Sequence, residues 1–296
     1  MRSASGERGV AAVVVACVVL ACVLLAGCTQ SADSAGSRGG PGGNAAQEGG
    51  RAAPGRSKAD QEARSAKGPT QAAQPYRRWG LTAPLPAPPS PPARRQPPRA
   101  GDRLPVVDRV PTGDQVVFLT YDDGAEKDPR FVDMVRELRL PVSMFLTDSV
   151  VGPGYGHFAR LRSVGASIQN HTLDHAALRG LPYAGQRAEI CGQQNKLRAR
   201  FGIRPRLFRP PYGTYDTTTL RAAAHCGVTA VVLWRAAMEG DGELTYARGP
   251  GRLRAGDIIS VPSGEPTGLS LRERTTRLLR EIQGRGLTVG RLEDYV

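Results

Sequence analysis

Past residue 26 the chain lacks any long apolar run, and hydrophobic residues make up only 40% of its 296 positions. That excludes a protein crossing a membrane several times. Acidic charge is also short, with 27 Asp and Glu against 40 Lys and Arg and a net charge of +13. The deficit is local: residues 51–100 hold ten basic and two acidic side chains, whereas 101–296 hold 27 and 22, an ordinary globular balance. The basic excess therefore belongs to a connecting segment. Cysteine is scarce at five residues, and Cys17 and Cys22 fall in the one apolar run, leaving Cys28, Cys191 and Cys226.

That run extends from Val10 to Ala26 behind Arg2 and Arg8 and closes with Leu25-Ala26-Gly27-Cys28. It reads as a secretion signal. Its ending resembles a bacterial lipobox, in which Cys28 becomes the lipidated first residue, so residues 1–28 are expected to be removed up to that cysteine. An uncleaved signal anchor is the alternative, because the run is near spanning length. Either reading places the rest of the chain outside the cytoplasm, on the extracellular face of the membrane by its lipid or secreted, where nucleic acid is not an expected partner. Residues 29–103, rich in Gly, Ala, Pro and Arg, are expected to form a disordered, extended linker that cannot bury enough apolar surface to offset its ordering entropy.

From residue 104 onward strand-like and helix-like segments alternate. Strands are expected at 116–120, 141–146, 166–170, 206–209, 229–234, 257–261 and 287–291, and helices at 129–138, 156–164, 183–201, 216–226 and 269–285. Seven strands with intervening helices predict a parallel α/β domain over 104–296, either a barrel or a doubly wound sheet, with chemistry at the C-terminal strand ends. Three motifs stand there. Thr120-Tyr121-Asp122-Asp123-Gly124 brings two carboxylates out of a buried strand and turns on a glycine, although Asp-Asp-Gly is also a common turn. Asn170-His171-Thr172-Leu173-Asp174-His175 places two imidazoles four residues apart, which one helical turn would put on one face. Two His and a carboxylate form an open zinc set. Phe208-Arg209-Pro210-Pro211-Tyr212-Gly213 ends a strand in a charge that is expected to meet an acid. Cys191 and Cys226 sit on the helices flanking the fourth strand and are expected to form a disulfide outside the cell, with two buried thiols as the alternative. His225, beside Cys226 in an Ala-rich helix, is expected to be structural.

In order and spacing, the three motifs resemble the polysaccharide deacetylase family, which carries the NodB homology domain and is also called carbohydrate esterase family four. The resemblance spans about residues 114–296 and implies a distorted (β/α)7 barrel. It implies Asp122 as general base; Asp123, His171 and His175 as ligands of a divalent metal, zinc, cobalt or nickel; Arg209 as the group orienting the base; and the Tyr212 N–H at the oxyanion. Trp234 and Pro211 are implied at the substrate pocket. The implied reaction removes acetyl groups from a polysaccharide such as peptidoglycan or chitin-like oligomers.

Two motifs of the resemblance are broken. The acid expected after Trp234 to pair with the arginine is missing from its register, and Glu239 or Asp241 are its possible replacements. In Gly256-Asp257-Ile258-Ile259-Ser260-Val261-Pro262, Ser260 stands in the place of a pocket-lining leucine and Pro262 in that of the histidine that protonates the leaving amine. Proline donates no proton, and loss of a general acid costs about 100- to 10,000-fold in rate. His157, and then Glu265, are the candidate substitutes, with a solvated helix-start residue as the alternative reading of His157. An O-acetyl ester substrate, or a retired site kept for glycan binding, would each accommodate the loss.

Overall fold

A computed structural model of the chain describes residues 74–93, 104–264 and 268–296. The apolar run, Cys28, most of the expected linker and Glu265 lie outside these residues. Among the described residues no helix is long and apolar enough to cross a membrane.

The strands are β1 (Val106–Val107), β2 (Val116–Tyr121), β3 (Val142–Leu146), β4 (Ser167–Asn170), β5 (Leu207–Phe208), β6 (Ala230–Val232), β7 (Ala236–Met238), β8 (Leu244–Tyr246), β9 (Ile258–Val261) and β10 (Thr288–Val289). They form one curled sheet in the order β1-β6-β5-β4-β3-β2-β9-β7-β8, with β10 against the start of β2. All of them pair parallel except β8, which runs antiparallel to β7. Arg109 bridges antiparallel to Asp257, and the Val110 N–H donates to the Gly256 carbonyl (2.8 Å), so the chain after the edge strand β1 meets the chain before β9. The result is a distorted (β/α)7 barrel in a single domain. Every residue of β2 and β3 is buried, as a strand covered on both faces requires, which is why both read as continuous apolar runs.

The helices are α1 (Pro75–Arg78), α2 (Pro129–Leu138), α3 (Asp148–Val151), α4 (Tyr155–Ser163), α5 (Tyr183–Phe201), α6 (Thr217–His225) and α7 (Leu271–Gly284). Local chemistry sets their ends. Asp128 caps α2 at the Arg130 N–H ahead of Pro129, while Asp216 with Thr219, and Ser270 with Glu273, form capping boxes on α6 and α7.

The expected linker is corrected over residues 74–93, which pack onto the barrel. Trp79 and Leu81 are buried against the core, and the Trp79 indole N–H donates to Glu137 on α2 (2.7 Å). Arg280 on α7 donates to the Gly80 carbonyl (2.6 and 2.9 Å), and the Thr288 hydroxyl to that of Pro86 (2.6 Å). Composition understates this segment because two well-placed apolar anchors and a few backbone acceptors suffice to hold an extended chain. Trp79→Ala is expected to cost about 3 kcal/mol, the low end for a buried aromatic. A domain beginning at residue 104 should therefore melt below one beginning at residue 74 in a thermal denaturation.

Cys191 on α5 and Cys226 at the end of α6 are joined by a disulfide across 35 residues. Closing a loop of that length in the unfolded chain is worth about 3–4 kcal/mol. Replacing both with Ser should lower the urea midpoint accordingly while leaving the site geometry in place.

Candidate metal centre and carboxylate pair

The three motifs meet at the C-terminal ends of β2, β4 and β5, around a cavity of about 320 Å3. Asp122, Asp123, His171, His175, Tyr212 and Trp234 line it, joined by Ala237, Glu239, Ser260 and Pro262. A larger hollow of about 410 Å3 at the opposite strand ends holds four arginines and none of the motif residues.

The backbone reaches this arrangement under strain. Asp123, Thr172, His175 and Tyr212 all adopt left-handed φ, from 57° to 73°. They are four of the five non-glycine residues that do so among the described residues. Each such residue costs on the order of 1–3 kcal/mol, and such costs gather where side chains must be aimed. Glycine supplies the same turn where no side chain fits: at Gly124 (φ 86°) a Cβ would lie 2.8 Å from Val151 and 3.0 Å from Phe158. His171 and His175 are thus presented by a loop, which corrects the expected helical turn. Their rings lie 5.0 Å apart.

Asp123 Oδ1 stands 3.3 Å from His171 Nε2 and 3.1 Å from His175 Nε2. That oxygen is buried with no hydrogen-bond donor aligned on it. One atom from each residue falls within 4.8 Å of the others. Burial raises the Asp123 carboxyl, but the two imidazoles outweigh burial and hold it well below the ordinary carboxylate range, so it is ionised. His171 Nδ1 donates to the Arg209 carbonyl (2.8 Å), which fixes the ring with Nε2 toward Asp123. The Thr147 hydroxyl donates to the His171 carbonyl (2.8 Å) and fixes the loop behind it. An orphaned carboxylate oxygen facing two imidazole nitrogens, with an oriented ring, fits a divalent cation held by three ligands.

Asp122 is held differently. Arg209 Nη1 donates to its Oδ1 (2.7 Å), and the Ser260 hydroxyl donates to its Oδ2 (2.6 Å). Arg209 is fully buried, with its guanidinium 4.4 Å from the centre of the Phe145 ring and 5.4 Å from that of Trp234. Burial pulls the guanidinium down from its ordinary value, and Asp122 opposes that pull. Neither Glu239 nor Asp241 reaches Arg209. Its remaining donors go to the carbonyls of Val232 (3.3 Å) and Leu233 (3.2 Å), so backbone takes the place of the acid missing after Trp234.

The other expected residues are distributed around this core. Tyr212 is 65% exposed at the cavity rim, its ring edge-on to His175, and Trp234 packs beneath it against Gly213. Pro211 is buried behind the rim and does not line the cavity. His157 is corrected: it is buried on α4, outside the cavity lining, and burial followed by the charges of Arg160 and Lys127 pushes its imidazole down. The sequence reading missed Ser260 as a partner of Asp122, because the register of β9 against β2 that brings them together is a long-range pairing. It also missed the cavity-lining position of Glu239, for which β7 is responsible.

An α/β barrel carrying an Asp-His-His metal set beside an arginine-bound carboxylate defines a hydrolase-type architecture. Residues 109–231 match the polysaccharide deacetylase family. Solved carbohydrate esterases of family four share the fold. An uncharacterized protein of Streptomyces coelicolor is 67% identical over 197 residues, covering 66% of this chain and 79% of that one. A chitin deacetylase of Amylomyces rouxii is 36% identical over 118 residues, covering 38% of this chain and only 27% of that one. A family-four pseudoenzyme from Bacillus anthracis superimposes with a TM-score of 0.54 at 16% identity, over 64% of this chain and 68% of that one. The family match ends before β7 and β9, so Glu239, Ser260 and Pro262 lie beyond it.

Proposed function

We propose that this chain is an exported, metal-dependent hydrolase that removes acetyl groups from an extracellular or cell-wall carbohydrate. The observation that carries the reading is the pairing of two differently held carboxylates at one strand end: Asp123 between two imidazoles, Asp122 between Arg209 and Ser260. Bound by Asp123, His171 and His175, a divalent cation supplies Lewis acidity and lowers the pKa of a water. The nitrogen and oxygen donors suit zinc, with cobalt and nickel as alternatives. Asp122, aimed by Arg209, takes a proton from water attacking the acetyl carbon. The Tyr212 N–H, on a left-handed backbone at the cavity rim, is the proposed donor to the developing oxyanion, and the exposed Tyr212 and half-buried Trp234 frame the acyl group.

Peptidoglycan or chitin-like oligomers are the proposed substrates, the latter supported by the similarity to the chitin deacetylase of Amylomyces rouxii. Anchoring through a lipid on Cys28 rests on the Leu25-Ala26-Gly27-Cys28 ending. The Cys191–Cys226 disulfide supports an oxidising compartment outside the cytoplasm. Pro262 favours a second reading, a glycan-binding protein without turnover, and the Bacillus anthracis pseudoenzyme shows that the fold alone does not decide between them. Acetate release from N-acetylglucosamine oligomers and from an O-acetylated sugar, measured in parallel on the zinc-loaded protein, separates the two. Release from either supports the enzyme; metal binding with no release from both supports the binding protein.

A further inference from the structure

Pro262 removes the acid from one strand end, and the neighbouring strand brings a carboxylate to the same level. β7 and β9 run parallel with Ala236 opposite Ile259 and Ala237 opposite Ser260. Glu239 and Pro262 are the residues just past the ends of the two strands, and extending the register by two residues would set them opposite one another. Alternation puts Ala237 and Glu239 on one face of their strand, and Ser260 and Pro262 on the matching face of theirs. All four line the cavity, while Met238 and Val261 between them are buried in the core.

The backbone at Glu239 is pinned by the β7–β8 hairpin. Its N–H donates to the Glu243 carbonyl (2.9 Å), and its carbonyl accepts from the Gly242 N–H (3.0 Å). The Thr245 hydroxyl donates to Oε1 (2.7 Å), which orients the carboxyl and leaves Oε2 free of any hydrogen bond among the described residues. The other two carboxylates of the cavity are committed, Asp122 to Arg209 and Ser260, Asp123 to the two imidazoles. Glu239 forms no salt bridge among the described residues and is partly exposed to the cavity.

We infer that Glu239 is the proton donor to the leaving group, a catalytic residue supplied by β7 in place of the acid that position 262 of β9 cannot provide. The inference rests on the deacetylase reading above. Asp122 removes a proton from the attacking water as its oxygen bonds to the acetyl carbon. When the tetrahedral adduct collapses, the C–N bond breaks with its electron pair going to nitrogen, and that nitrogen takes the proton of the Glu239 carboxyl. Acetate and the amino sugar leave, and the proton on Asp122 passes through solvent to restore the Glu239 acid.

The test is the leaving-group dependence of Glu239→Gln in the zinc-loaded full chain. The isosteric amide keeps an acceptor for Thr245, so melting temperature and zinc affinity should match the wild type. Release of acetate from N-acetylglucosamine oligomers should fall by about 100- to 10,000-fold, the range for a lost general acid. Hydrolysis of 4-nitrophenyl acetate should change by no more than a few-fold, because nitrophenolate leaves without a proton. Pro262→His in the Glu239→Gln background should recover amide cleavage by restoring an acid at the paired position. Equal losses on both substrates, or an amide rate that Glu239→Gln leaves unchanged, overturn the inference and leave the deacetylase reading standing. A wild type that cleaves the aryl ester but no amide overturns Glu239 as an effective donor. A wild type inactive on both substrates overturns the deacetylase reading itself, and this inference with it.

Discussion

Asp122→Asn is expected to lower acetate release by about 100- to 10,000-fold, the contribution of a positioned general base, while leaving zinc binding intact. The reason lies in how the two adjacent carboxylates divide their work. Asp123 faces His171 and His175, whereas Asp122 turns to Arg209 and Ser260, so the substitution removes a base without removing a ligand. Asparagine keeps the shape of the side chain. Its carbonyl can accept from Arg209, and the Ser260 hydroxyl can rotate to accept from the new amide, so both contacts of the side chain are kept. Turnover measured beside a zinc titration checks both halves of the expectation. A matching loss of zinc affinity would instead place Asp122 among the ligands.

Arg209→Met is expected to destabilise the fold by about 3–5 kcal/mol, the range for removing one partner of a buried ion pair. The guanidinium is fully buried and satisfies Asp122 together with the Val232 and Leu233 carbonyls, while the Asp122 side chain retains only 9% exposure. Methionine fills most of the volume but leaves the carboxylate with Ser260 as its remaining partner. Combining Arg209→Met with Asp122→Asn removes the stranded charge, so the double variant should regain much of the lost stability while remaining inactive. Urea unfolding of the four proteins measures this coupling. Additive losses would mean that Arg209 acts mainly through packing against Phe145 and Trp234, rather than through Asp122.

The parts of this architecture that were legible in the sequence are those governed by local rules. Helices α2 and α5 fall where Pro129 and the run from Tyr183 to Phe201 place them, and the capping chemistry of Asp216 and Ser270 marks the starts of α6 and α7. The continuous apolar runs of β2 and β3 announce strands buried on both faces. Strands β1, β7 and β8 were not legible, because two or three residues carry no periodicity and their pairing partners are distant. β7 follows β6 after only three residues, without the helix that the alternating pattern leads one to expect. That omission hid the level shared by Glu239 and Pro262.

At the site, residue types were readable and backbone conformation was not. The four-residue spacing of His171 and His175 suggests a helical turn, but the loop aligns the two rings through left-handed Thr172 and His175. Positive φ at a β-branched residue is a cost that tertiary contacts must offset, and nothing in the local sequence announces it. The segment from residue 74 to 93 was misread for the opposite reason. Its composition is that of a spacer, yet Trp79 and Leu81 find buried places across α2 and α7.

The most direct test of the account is acetate release from N-acetylglucosamine oligomers by the purified protein, before chelation, after chelation and after zinc is returned. Release that disappears with the chelator and recovers with zinc is the expected result. A folded, zinc-binding protein that releases no acetate under any of the three conditions would contradict it.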